Sequence, residues 1–284
     1  MLLSQFIYHS PFTMLITFML TSGLIFLLAS AGNVTVLNGG LSMRYHYNKV
    51  NLPHVNVIGF PQPLKIIFWL LTFMLFNLGL DYLVAWLKQF FPAGWQLTRL
   101  IASLEGNLPV LVQSLANPFL TSVLSFFYIF VFPALILGVY LYLMFTKRTG
   151  YALLLLCAVG VNYLLAVPFY LLAPVYETWY YNPQVKLLIE QVYPAFNHTY
   201  RFFSGLSNNF PSLHTSISTT VTLLAAYTRE KRLCALVALV NLVIVFSTVY
   251  LGIHWLTDVL AGLLFANICF GLTIRCLRKF NEQL

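Results

Sequence analysis

Seven predominantly apolar runs of helical length recur along this chain of 284 residues. A helix must carry about 20 apolar residues to cross the hydrocarbon core of a bilayer, which is about 30 Å thick. The sequence therefore predicts seven transmembrane helices, at residues 12–31, 64–90, 119–146, 150–173, 212–228, 233–251 and 255–275. The composition agrees, since 60% of the residues are apolar and only 8% are charged, which is far from the average soluble domain.

The remaining long stretches are predicted extramembrane loops, at residues 32–63, 92–118 and 175–211. We expect the middle loop to lie along the membrane interface as an amphipathic segment. The last two runs are joined by almost nothing, so Gly252-Ile253-His254 must turn at the membrane surface. Because no repeat or linker separates a second domain, the chain is predicted to be one membrane domain over 1–284, with an N-terminal helix and loop (1–63) and a core (64–284).

Basic residues are distributed unevenly between the two sides of the membrane that seven alternating helices define. One side carries eleven Lys and Arg residues, and they are Arg44, Lys49, Lys65, Lys147, Arg148, Arg229, Lys231, Arg232, Arg275, Arg278 and Lys279. The other side carries four, and they are Lys88, Arg99, Lys186 and Arg201. Since cytoplasmic loops carry the excess of positive charge, the N-terminus and the 175–211 loop are predicted outside and the C-terminus in the cytoplasm. The net charge of +8 then reflects topology and anionic lipid headgroups, and nothing indicates nucleic-acid binding.

The first apolar run could instead be a cleaved secretory signal, because Ala29-Ser30-Ala31 resembles a signal-peptidase site. No Lys or Arg precedes that run. Cleavage would also leave Arg44 and Lys49 outside, against the charge bias of every later loop. We therefore interpret residues 12–31 as a membrane helix.

Two short segments, residues 209–216 and 247–258, carry most of the reactive side chains. Each lies where an apolar run begins or ends, so His214 and His254 are expected at the water edge of transmembrane helices. His254 and Asp258 are four residues apart, which on a helix places both side chains on one face. The carboxylate can then accept one ring N–H, define the tautomer and leave the other nitrogen free to attack. The pattern indicates a metal-free site for phosphoryl transfer.

Pro211-Ser212-Leu213-His214 and the later Ser-x-x-Tyr-Leu-x-x-His-x-x-x-Asp pattern over 247–258 resemble the second and third motifs of the type 2 phosphatidic acid phosphatase superfamily. The likeness is closer to the inositol phosphorylceramide synthase-like (inositolphosphotransferase) branch and its archaeal relatives, with Leu213 before the histidine and Thr248 where many phosphatases have Arg. It extends from about Leu172 to Leu264. The resemblance implies an all-α integral membrane fold with a six-helix catalytic core and, in this chain, one extra N-terminal transmembrane helix.

The resemblance also implies roles for individual residues. His254 is the nucleophile that forms a phosphohistidine, Asp258 orients it, and His214 protonates the leaving oxygen. Ser212, with the adjacent backbone, and Ser247 bind the substrate. No metal or other cofactor is required. The expected partners are a lipid phosphate that enters sideways from the bilayer and the surrounding membrane lipids, and no obligate protein partner is indicated.

Two cations of the phosphatase motifs are missing from this chain. The first motif consists of Lys, six residues and Arg-Pro. In this chain Lys186 is followed by six residues and then by Tyr193-Pro194, so the arginine is missing. In the third motif, Thr248 replaces the arginine. The charge on the transferred group still needs stabilising. Arg201, in the same extramembrane stretch, is the leading candidate for a phosphate clamp, and Lys186 is the second. Both could instead be solvated loop charges, and Ser212 could serve only as a helix N-cap.

Three functions remain open at this point. The first is a transferase that moves a phospho-headgroup of the inositol phosphate type from one lipid to an alcohol. The second is a lipid phosphate or isoprenoid diphosphate phosphatase, and the third is a transporter whose histidines relay protons. The transporter leaves the paired motifs unexplained. A site with few cations suits a phosphodiester, which carries one negative charge, better than a monoester with nearly two, and this slightly favours the transferase.

Overall fold

The structure of the chain is a computed structural model that describes residues 10–30, 34–37, 40–43, 62–90, 97–200 and 204–282. Among these residues the helices are α1 (Pro11–Ser30), α2 (Gln62–Leu87), α3 (Thr98–Glu105), α4 (Leu108–Gln113), α5 (Pro118–Phe126), α6 (Phe132–Phe145), α7 (Thr149–Leu172), α8 (Thr178–Tyr181), α9 (Phe196–Tyr200), α10 (Leu213–Tyr227), α11 (Lys231–Tyr250) and α12 (Leu256–Glu282). Strands β1 (Val34–Leu37) and β2 (Gly40–Met43) pair in an antiparallel hairpin. The fold is therefore all-α, with one small hairpin in a segment that the sequence predicts as loop.

The seven predicted membrane segments coincide with seven helical segments, namely α1, α2, α5–α6, α7, α10, α11 and α12. Their boundaries agree within three residues, except that α12 continues to Glu282. Within the described residues, five helical segments are long and apolar enough to cross a membrane, and they are α1, α5–α6, α7, α11 and α12. With 15 residues, α10 rises only about 22 Å, less than the thickness of the hydrocarbon core.

The short helix α10 can carry polar side chains within the bundle because other helices cover most of it. It packs against α7, α11 and α12, and the sequence does not predict this central position. Ser216 hydrogen-bonds to Oδ1 of Asn162 in α7, and Nδ2 of Asn162 donates to Oγ1 of Thr220 over 3.1 Å. These interhelical bonds satisfy polar groups that lipid could not satisfy.

Local sequence signals mark the positions at which helices near the site begin. Asn117 is the N-cap of α5, and its side chain accepts the N–H of Leu120 over 2.9 Å, with Pro118 in the first helical position. Between α5 and α6 the chain forms a π-helical segment, Phe127–Val131. Such segments are frequent at functional sites, and this one carries Tyr128.

Charged side chains meet at the end of the bundle opposite the start of α10. Because α10 runs from Leu213 to Tyr227, its turn to α11 lies at the far end. There Arg148 pairs with Glu230, and Arg278 donates to the Tyr227 hydroxyl over 2.9 Å. Residues that the sequence assigns to the cytoplasmic side therefore share one end of the molecule.

Candidate active site

Hydrogen bonds join the two motif segments. The N–H of Ser212 donates to the carbonyl oxygen of Asp258 over 3.1 Å. Nδ2 of Asn209 donates to the carbonyl oxygen of Ile253 over 2.7 Å. The N-terminal ends of α10 and α12 therefore lie side by side. A helix N-terminus carries partial positive charge and attracts anions.

The turn between α11 and α12 sets the position of His254. Gly252 has a positive φ of 81°. Its N–H donates to the carbonyl of Val249 over 3.0 Å, and the N–H of Ile253 donates to that of Thr248 over 3.3 Å, which together form a Schellman motif. The N–H of His254 donates to the same Thr248 oxygen over 3.0 Å. The tight turn that the sequence predicts after α11 is thereby confirmed.

His254 and Asp258 face each other, as their spacing predicts. Nδ1 of His254 lies 3.5 Å from Oδ2 of Asp258, and the two side chains are 5% and 0% exposed. This distance exceeds that of a well-formed hydrogen bond, but catalytic hydrogen bonds often tighten only when substrate binds. Oδ2 also accepts the N–H of Trp255 over 3.0 Å, as in a capping box. With Nδ1 turned toward the carboxylate, Nε2 is the ring nitrogen left to react.

Glu105, at the end of α3, caps the first turn of α12. Its Oε2 accepts the N–H of Leu256 over 2.9 Å, and its Oε1 accepts that of Thr257 over 2.6 Å. The helix dipole favours a carboxylate at this position. Glu105 therefore supports the turn that carries His254. Sequence reasoning missed this role, because no local pattern links Glu105 to a residue 151 positions later.

His214, the second residue of α10, packs against two aromatic rings. The ring of Tyr128 is stacked on it at a centroid distance of 4.1 Å, and the ring of Phe132 lies at 4.3 Å. The centroids of the His214 and His254 rings are 6.4 Å apart. This separation leaves room for a phosphoryl group between the two imidazoles. The arrangement suits a nucleophile on one side of the phosphorus and a general acid on the other.

A cavity of about 510 Å³ has both histidines in its wall. Side chains of the extramembrane segment form a polar part of the wall, and they include Glu177, Thr199, Ser204, Asn208 and Asn209. Side chains of the helices form a mainly apolar and aromatic part, and they include Met14, Tyr128, Ile129, Phe132, Pro133, Tyr163, Tyr170 and Leu213. The volume is that of a typical ligand site. A cavity with these two parts suits an amphipathic ligand.

The two serines predicted to bind substrate are both buried, but they differ in position. Ser212 caps α10, its Oγ accepting the N–H of Thr215 over 3.4 Å. It lies beside His214 at the helix N-terminus. Ser247 lies within α11, where its Oγ donates to the carbonyl of Ile244 over 2.6 Å. Neither serine is among the described residues that line the cavity.

Of the two predicted phosphate clamps, the structure describes only Lys186, which is not among the described residues that line the cavity. Lys186 is exposed, and its backbone N–H and carbonyl bond to the side chain of Gln113. Arg201 lies outside the described residues, although Thr199 and Ser204 on either side of it in sequence line the cavity. In the described part of the wall there is no Lys or Arg side chain.

Lys88, which directly follows α2, anchors the loop that precedes the first motif segment. Its Nζ donates to Oγ of Ser207 over 2.9 Å and to Oδ1 of Asn208. These bonds hold Asn208 at the cavity wall.

Gly262, one turn after Asp258, makes the close approach of α12 to α10 possible. A Cβ atom at this position would lie 2.7 Å from the backbone oxygen of Ser212, which cannot move without shifting α10. We expect Gly262→Ala to separate the two histidines and to lower kcat by about 10²-fold, the scale of an ångström-sized misplacement.

Gly271→Ala is the matched control for this substitution, because a Cβ at Gly271, in the same helix, has nothing within 4 Å. Both changes improve helix propensity equally, so only the contact with Ser212 differs. Steady-state kcat and thermal melting in detergent would be measured for both variants. A Gly262→Ala enzyme with the kcat of the Gly271→Ala enzyme would show that the approach is not required.

The chain matches a family model and is similar to a solved structure. A family model described as the PAP2 superfamily matches residues 95–272. The crystal structure of Aquifex aeolicus LpxE is similar to this chain at 19% sequence identity and a TM-score of 0.48, covering 60% of this chain and 93% of that one. No curated protein sequence matches the chain.

Proposed function

Because this chain belongs to the PAP2 superfamily, whose model matches residues 95–272, we propose that it is an integral membrane enzyme that acts on lipid phosphates through a phosphohistidine. One observation carries the proposal. His254, which faces the buried Asp258, lies in the wall of the same cavity as His214, with the two imidazole rings 6.4 Å apart.

The proposed reaction has two steps. In the first, Nε2 of His254 attacks the phosphorus, an N–P bond forms, and the P–O bond to the leaving alcohol breaks. His214 donates a proton to the departing oxygen, while Asp258 stabilises the positive charge on the His254 ring. In the second, a hydroxyl of water or of an alcohol attacks the phosphorus and gives its proton to His214. His254 then leaves as a neutral imidazole.

The oxygens of the transferred group would be stabilised at the N-terminus of α10. Ser212 caps this end, and the helix dipole places partial positive charge there. We propose Arg201 as the additional clamp, with Lys186 as the weaker candidate because its side chain is exposed away from the described cavity wall.

We place the chain in the inositol phosphorylceramide synthase-like branch, of the archaeal type, and propose transfer of a phospho-headgroup as its reaction. Thr248, at the position of the phosphatase arginine, is buried, and its hydroxyl donates within α11 to Val245 over 2.8 Å. It therefore supplies no charge, and a site with few cations suits a phosphodiester better than a monoester. Hydrolysis by water is the second candidate, supported by the family match itself.

Product analysis with defined lipids tests this proposal. The purified protein would be incubated in EDTA with labelled phosphatidylinositol, phosphatidic acid or polyprenyl diphosphate, with and without an acceptor alcohol, and the products separated by thin-layer chromatography. A product that requires the acceptor supports the transferase, whereas release of phosphate without acceptor supports the phosphatase. We expect activity in EDTA and inhibition by vanadate. Turnover of none of these lipids, or activity that only magnesium restores, would overturn the proposal.

The role of His214 is tested by changing the leaving group. His214→Asn should lower turnover of a lipid substrate, whose alkoxide leaves poorly, by about 10²–10⁴-fold. The same substitution should cost far less with p-nitrophenyl phosphate, because p-nitrophenolate leaves without a proton. Both rates would be measured on the same preparation. Equal losses on the two substrates would argue against a general acid at His214.

We propose that the site faces the extracytoplasmic leaflet, with the N-terminus outside and the C-terminus in the cytoplasm. The clustering of Arg148 and Arg278 at the opposite end supports this orientation. In a cysteine-free background, Gln184→Cys should react with a membrane-impermeant maleimide added to intact cells, and Lys231→Cys should not. Both native side chains are exposed, so accessibility alone does not separate them. Labelling of the second variant alone would invert the topology.

A further inference from the structure

The catalytic cavity is lined in part by the N-terminal helix α1. Met14 of α1 shares the cavity wall with Ile129, Phe132 and Pro133, as well as with His214. The family match begins at residue 95, so α1 lies outside the region that it covers. The helix that the sequence predicts as an addition to the catalytic core therefore contributes directly to the site.

The position of α1 is defined by close packing against α6. A Cβ atom at Gly138 would lie 2.7 Å from Cγ2 of Ile25 and 3.0 Å from the backbone oxygen of Ser22. Ile25 is 5% exposed and Ser22 is 2% exposed. The rings of Phe26 and Phe145 meet edge to face at 5.4 Å. Interfaces of this kind, in which a small residue allows backbones to approach, hold membrane helices together.

The helical part of the wall, to which Met14 belongs, is mostly apolar. Its side chains are aliphatic, aromatic or proline, and among the described lining residues of these helices the polar atoms are those of His214, Tyr128, Tyr163 and Tyr170. The other face of α1 is apolar and exposed, with Leu15, Met19 and Leu20 each at least 55% exposed. A chain leaving the cavity beside α1 would therefore pass directly into the bilayer.

We propose that α1 forms the wall for the hydrocarbon chain next to the reacting phosphate, and that Met14 determines which chains fit. This inference rests on the proposed function of the site. Met14 is half-buried, and its flexible thioether side chain can adapt to chains of different shape. A larger side chain there would narrow the cavity, whose wall also contains Phe132 and His214. Chain selectivity would then be set outside the region covered by the family match.

Kinetics on substrates that differ only in their chains test the role of Met14. The ratio of kcat/KM for dioleoyl to dihexanoyl forms would be measured for phosphatidic acid or phosphatidylinositol, whichever the wild type turns over. We expect Met14→Trp to lower this ratio at least about tenfold, the scale of a misfitting group in an apolar pocket, and Met14→Ala not to lower it. Met19→Trp is the control, because Met19 lies on the lipid-facing side of the same helix, and its ratio should be that of the wild type.

A binding measurement separates this inference from the proposed function. Phosphatidic acid with a diazirine in its acyl chain would be photolysed with the wild-type protein, and the labelled peptide identified by mass spectrometry. Labelling at or beside Met14 supports the inference even if no lipid is turned over. The lack of turnover would overturn the proposed function alone. Equal ratios in Met14→Trp and Met19→Trp, or labelling confined to other helices, would overturn the role of α1 and leave the proposed function intact.

Discussion

Replacing His254 with Asn should lower turnover of the lipid substrate by about 10⁴-fold or more, the scale seen when a covalent nucleophile is removed. Asn is close in shape and can still bond to Asp258, but its amide nitrogen does not attack phosphorus. The wild type should also form an acid-labile, base-stable phosphoenzyme when it is quenched during turnover with substrate labelled in the transferred group. The variant should form none.

His198→Asn is the control for His254→Asn. His198 lies on α9, in the same extramembrane segment as part of the cavity wall, and it is exposed. Among the described residues that line the cavity it does not occur, so its replacement should leave kcat unchanged. A phosphoenzyme that persists in His254→Asn would place the nucleophile elsewhere.

Asp258→Asn should lower kcat by about 10²–10⁴-fold, by analogy with other carboxylates that orient a catalytic histidine. The structure gives Asp258 two functions, since Oδ2 faces Nδ1 of His254 and also accepts the N–H of Trp255. The amide oxygen of Asn can keep the second contact. The substitution removes the negative charge that stabilises the imidazolium, so KM should change less than kcat.

Glu105→Gln provides a matched comparison with Asp258→Asn. Both substitutions turn a carboxylate at the N-terminus of α12 into an amide, but Glu105 contacts only the backbone of Leu256 and Thr257 in this turn. We expect a loss of less than about tenfold, because one oxygen acceptor remains. Equal losses in the two variants would show that capping of α12, and not the charge beside His254, accounts for the effect of Asp258.

The local features of this protein were predictable from its sequence. The seven helical segments were found because a bilayer requires long apolar runs, and their boundaries agree within three residues except at the end of α12. The proximity of His254 to Asp258 was predicted from a four-residue spacing on one helix, but His254 lies in the turn before α12, and this turn brings its ring to the carboxylate. The roles assigned to these residues stay predictions until the variants are measured.

Other features depended on packing that no local pattern encodes. α10 has the length and polarity of a covered central helix, and its Ser216 is satisfied by Asn162 from another helix. Ser212, Ser247 and Lys186 were expected to bind substrate, yet none of the three is among the described residues that line the cavity. Sequence position alone does not reveal which way a side chain faces when neighbouring helices decide it.

By itself the sequence determined that the chain crosses a membrane repeatedly and that a histidine and an aspartate lie four residues apart at the start of its last helix, because apolar length and residue spacing are local properties. Only the tertiary structure decided what surrounds that face. Glu105 caps α12, Gly262 allows the backbone of Ser212 to approach α12, and Met14 lines the cavity. Each of these contacts joins residues far apart in sequence, and it exists because side-chain volumes and hydrogen-bond directions match across an interface between helices.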